Sequence, residues 1–137
     1  MGTAHDKLVR ELVMVQNDGD RRVGMLREVH IAYCGLDERW RKKLENHFRH
    51  FGIGNARLPE EHFKSLGRFP IGKPGSPQIQ LFEFKAFQVR LYGTIVNVSD
   101  AQTFVGTKLI DDKKRNRADQ ELLKRIATDF SDYLDPR

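Results

Sequence analysis

The apolar pattern predicts an α+β fold: a helical hairpin and a C-terminal helix packed on a small antiparallel sheet, with an N-terminal extension. Three observations carry this. Trp40, Leu44, Phe48 and Phe51 recur at helical spacing. Alternation of period two runs through Ile79–Lys85 and Phe87–Ile95, with a further β-like run at Thr103–Lys108. Leu122, Leu123, Ile126, Ala127, Phe130, Tyr133 and Leu134 then fall on a single helical stripe. A chain of 137 residues suffices for one core. Residues 1–28 read as the extension and residues 29–137 as the domain proper.

Taken in order, Leu8, Leu12, Val13 and Gln16 suit one side of a helix, and Leu12–Val15 suits a strand equally well. Asn17-Asp18-Gly19-Asp20 is a turn signal. Val29, Ile31 and Tyr33 alternate with His30, Ala32 and Cys34, which predicts a strand ended by Gly35. Asp37 caps the first hairpin helix, which Gly52-Ile53-Gly54-Asn55 breaks. Pro59 followed by Glu60 and Glu61 opens a shorter helix carrying Phe63 and Leu66. From Gly67 to Pro77 the glycines and prolines predict a loop. If the strands at 79–85 and 87–95 pair through a turn near Ala86, Phe82, Phe84, Phe87, Val89 and Leu91 share the packed face, leaving Lys85, Arg90 and Tyr92 on the open one. Asn116 is the expected cap of the last helix, and Asp135-Pro136 ends it.

Charge points to an anionic partner. Lys and Arg number 24 against 19 acidic residues, a net +5, and nucleic acid is the first candidate for such a balance. Lys113, Lys114, Arg115 and Arg117 crowd a strand-to-helix corner, where free backbone N–H groups and the helix dipole also favour an anion. The lone Cys34 excludes an internal disulfide and fits a reducing compartment. With no secretory signal and no apolar run long enough for a bilayer, the expected location is cytoplasmic and no membrane partner is expected. His30, His47, His50, His62 and Cys34 lack the spacing of a metal site, and Phe48 and Phe51 take the buried positions around His47 and His50. Neither a metal nor a cofactor is expected.

From residue 29 onward the chain resembles the RelE/ParE toxin superfamily, and within it the HigB-like, phage-derived branch. Asp37-Glu38-Arg39-Trp40-Arg41-Lys42-Lys43-Leu44 looks like its first hairpin helix, and Phe82-Glu83-Phe84-Lys85 like its Glu-Leu-Arg strand. Phe87 to Gly93 looks like its Tyr-Arg-Val-Leu-Tyr strand, and Asp112-Lys113-Lys114 like the turn before its last helix. The resemblance implies the toxin half of a toxin–antitoxin pair: a metal-independent, ribosome-dependent mRNA endonuclease in which the ribose 2′-OH attacks the adjacent phosphate. It implies Lys85 and Arg90 as stabilisers of the charge developing on phosphate, where fixed cations act most strongly. Lys113, Lys114 and Arg115 would hold the rRNA or mRNA backbone, one of them helping to protonate the leaving oxygen, with Tyr92 as a substitute for the late Tyr or His that several relatives use. Arg39, Lys42, Lys43, Arg115 and Arg117 would bind RNA, and the partners would be a cognate antitoxin and ribosomal RNA or mRNA. Two alternatives stand beside it: a non-catalytic RNA-binding module, and a toxin-fold interaction protein without activity.

Overall fold

Alternation from Gln78 onward becomes the centre of one sheet in the computed structural model, which describes residues 3–54, 57–73, 75–111 and 119–134. The elements in order are α1 (Ala4–Glu11), β1 (Leu12–Gln16), β2 (Arg21–Leu26), α2 (Arg27–Cys34), α3 (Glu38–Gly52), β3 (Phe63–Pro70), β4 (Gln78–Ala86), β5 (Val89–Val98), β6 (Ala101–Ile110) and α4 (Gln120–Phe130), followed by a 3₁₀ turn at Ser131–Tyr133. The six strands lie in the order β1-β2-β6-β5-β4-β3. Neighbours are antiparallel except β2 and β6, which run parallel, with Val23 opposite Phe104.

The small antiparallel, RelE-like sheet expected from the sequence is therefore not what forms: the sheet is mixed, larger, and covered on both faces. On one face α2 and α3 bury Val29, Tyr33, Leu44, Phe48 and Phe51 against Phe84, Leu91 and Phe104. Phe84 sits edge-on to Phe48 at 5.0 Å and to Phe51 at 5.7 Å, geometries that add to the area they bury. On the other face α4 packs Leu123, Ile126 and Ala127 on Leu81, Tyr92 and Phe69, while Phe130 and Leu8 of α1 close over Val98 and Val105. Strands buried on both sides need such cover.

Two local readings are corrected. Residues 29–34 form helix α2 and no strand: Val29 and Tyr33, one helical turn apart, are buried together while Ile31 is 68 % exposed. Period two and period four coincide at those positions, and packing on β2 and β6 favours the helix. The second hairpin helix is also absent. Pro59 instead starts a turn, accepting from His62 and Phe63 N–H, and Phe63 begins β3. There its ring stacks on Phe82 at 5.3 Å and meets Phe84 at 4.5 Å, contacts that a strand edge makes and a surface helix does not. A bulge between Ser65 and Gly67 then puts Phe69 on the same side as Leu66, toward α4. The extension is drawn in too: α1, β1 and β2 belong to the same body, and the boundary at residue 28 falls inside α2.

The end of α3 is tied down by β2. The Arg21 guanidinium lies 3.9 Å from the Phe51 ring centroid and donates to the Phe51 carbonyl at 2.8 Å, a cation at the helix end where the dipole favours one. Burial lowers its pKa from the usual arginine value.

Candidate functional site

Sequence reading placed the chemistry on the β4–β5 hairpin. Lys85 and Arg90 are direct cross-strand partners, so both side chains leave the same side of the sheet, with Tyr92 on that side two residues further along β5. That side is not open, because α4 lies on it. Tyr92 is fully buried and Arg90 is 8 % exposed, so the expected open cationic face does not form. Arg90 spends its guanidinium on the hairpin turn, donating through Nη1 to the carbonyls of Phe87 and Val89. Lys85 approaches the buried Glu83 carboxylate at 3.8 Å. The Tyr92 hydroxyl has no hydrogen-bond partner among the described residues. Burial first, then the negative charges of Glu83 and Asp119, push its pKa up to about 12 against the opposing effect of Arg90. At neutral pH it is a protonated donor and no base.

The other four cations of the proposed site, Lys113, Lys114, Arg115 and Arg117, lie outside the described residues, as does Asn116, the expected cap of the last helix. The cap observed is Asp119, whose carboxylate accepts from Glu121 N–H.

What the fold does assemble is a groove on α3. Arg39, Lys42, Lys43, Asn46, His47 and His50 of the helix meet His62, from the turn before β3, around a concavity of about 530 Å³. None of these seven lining residues is acidic. Arg39 is held by a hydrogen bond and ion pair to the capping Asp37 at 3.2 Å, and Lys42 by Glu38 at 3.2 Å, both at the solvent-exposed rim. Surface pairs of this kind exchange readily for a phosphate. Lys43 reaches sideways, its Nζ 4.6 Å from the Phe87 ring centroid.

At the back of the groove, His47 and His62 stack with ring centroids 4.1 Å apart. His47 is 3 % exposed, and its Nε2 is buried with no partner among the described residues. Its pKa falls to about 4, through burial first and its electrostatic interaction with His62, with smaller contributions from Lys43 and His50 and a backbone hydrogen bond to Lys85 opposing. At pH 7 the ring is therefore neutral, and its Nε2 lacks a donor such as a hydroxyl or an amine. Sequence reading set these histidines aside. The signal was present, since residue 47 lies on the same helical stripe as Leu44 and Phe51, but the partner His62 is brought in by a strand that the sequence reading made a helix. Among the described residues, no group of three or more His, Cys, Asp and Glu is arranged to hold a metal, and no helix is long and apolar enough to cross a membrane.

The class this defines is an α+β protein with a mixed six-stranded sheet between two helical layers and a cationic, histidine-backed groove on one of them. No family model, no curated protein and no solved structure matches the chain.

Proposed function

We propose that this chain binds RNA through the phosphate-seeking face of α3. The observation that carries the reading is the convergence of Arg39, Lys42, Lys43, His50 and His62 on one groove with no acid in its lining, beside a chain net charge of +5. Phosphate contacts from Arg and Lys side chains such as Arg39, Lys42 and Lys43 supply much of the affinity in nucleic-acid recognition and make it depend on salt. The test is titration of a labelled RNA oligonucleotide at several salt concentrations. Affinity that falls steeply with salt, and that Lys42→Glu with Lys43→Glu abolishes, supports the reading; affinity independent of those residues ends it.

A second reading, the toxin-type endoribonuclease with a cognate antitoxin as partner in the cytoplasm, is favoured by one observation. Lys85 and Arg90 stand directly opposite each other, at the end of β5 that pairs with Ile110, from which the chain runs on to Lys113 and Lys114. The burial of Arg90 weighs against it. Induced expression followed by mapping of mRNA 5′ ends decides: cleavage leaving 2′,3′-cyclic phosphates, lost in Lys85→Ala, supports the enzyme. Harmless expression with intact mRNA removes it.

A further inference from the structure

Phe87 is the residue that the fold treats most strangely. It occupies the β4–β5 turn with φ of 58°, a left-handed conformation costing a bulky side chain roughly 1 kcal/mol or more. Glycine or asparagine is the usual occupant of such a position. Its ring is 60 % exposed, although the alternation of its strand predicted burial beside Val89 and Leu91. The exposed ring is not loose. Trp40 lies against it, centroid to centroid 4.5 Å at 48°, the Lys43 ammonium stands 4.6 Å from it, and the Arg39 guanidinium is 4.9 Å from the Trp40 ring. Arg39 and Lys43 also line the α3 groove. A supported aromatic surface thus continues directly into a row of cations.

We infer that Phe87 and Trp40 form a stacking platform for an unpaired base, so that the RNA held by the α3 groove is single-stranded. The inference rests on the RNA-binding reading and deepens it. Aromatic rings bind any base through its π-face when the base is free of its own stack, and neighbouring cations follow the phosphates. In a duplex the bases are already stacked and paired, and the rings would have nothing to receive. The charge around the rings selects an anionic partner carrying flat apolar groups. A single-stranded RNA segment carries both.

The experiment uses the emission of Trp40, the chain's one tryptophan. The full chain is titrated with a single-stranded oligouridylate, with a duplex RNA of the same length, and with inorganic polyphosphate. The oligouridylate is expected to quench Trp40 and to bind more tightly than the duplex. Phe87→Ala is expected to weaken its binding about tenfold or more while leaving polyphosphate affinity unchanged, and Phe87→Tyr is expected to retain it. Should Phe87→Ala bind the single strand as well as the wild-type chain, or should duplex and single strand bind alike with Trp40 unquenched, the platform is refuted while RNA binding stands. Should none of the three polyanions bind, the RNA-binding reading falls and the platform with it.

Discussion

His47 gives the sharpest prediction. Its ring is neutral in the folded chain until pH approaches 4, whereas in the unfolded chain it takes up a proton near pH 6.5. Between those values the unfolded state holds a proton that the folded state does not, so stability is full above pH 6.5 and is lost as pH falls. At full strength the gap corresponds to roughly 3 kcal/mol. Water in the adjoining groove screens part of it, and by pH 5 only part of the titration is complete, which leaves about 1 to 2 kcal/mol between pH 7 and pH 5. Urea unfolding of the wild type and of His47→Gln at both pH values isolates this contribution, because carboxylates titrate alike in both proteins. The wild type is expected to lose that much more than the variant on going to pH 5. Equal losses would refute the claim that a buried neutral imidazole backs the groove. So would a smaller loss in the wild type.

Three further outcomes are expected. Lys42→Ala and Lys43→Ala each lower the salt-dependence slope of RNA binding by about one, read from affinities at four salt concentrations. Leu123→Ala, which removes a fully buried side chain from the layer over Tyr92, destabilises by about 2–5 kcal/mol in chemical unfolding; a loss below about 1 kcal/mol would mean that α4 does not seal this face. Tyr92→Phe deletes a buried hydroxyl that lacks a partner among the described residues, so its stability stays within about 1 kcal/mol of wild type or rises. If the variant also lost RNA cleavage, Tyr92 would be acting as an acid in spite of its burial.

Much of the sheet was legible because β4 and β5 have one correct register. Phe84 opposite Leu91 and Lys85 opposite Arg90 follow from alternation and a tight turn. The stripe from Leu123 to Phe130 likewise marked α4 and its buried face. What could not be read was what lay beneath that stripe. Alternation divides side chains into two faces and does not say which face meets water, so Arg90 and Tyr92, polar by type, were assigned to solvent although both are buried, Tyr92 beneath α4. Val29 and Tyr33 satisfy strand and helix spacing alike, and only the surfaces of β2 and β6 decide between them. Leu66 misled for another reason. Three residues along a strand, it faces away from Phe63, whereas the same spacing in a helix puts the two residues on one face. The candidate site followed the same logic: Arg39, Lys42 and Lys43 were visible as a basic helix face, whereas the histidine stack depends on β3 being a strand.

The parallel contact of β2 with β6 has a consequence for how the chain is made. Val23 and Met25 find their sheet neighbours at Phe104 and Gly106, more than half the chain length away, and closing so long a loop costs entropy before any contact repays it. During synthesis the first two strands therefore wait as an unjoined hairpin until the sixth has emerged. Any factor that holds nascent hydrophobic segments apart would act on them in that interval.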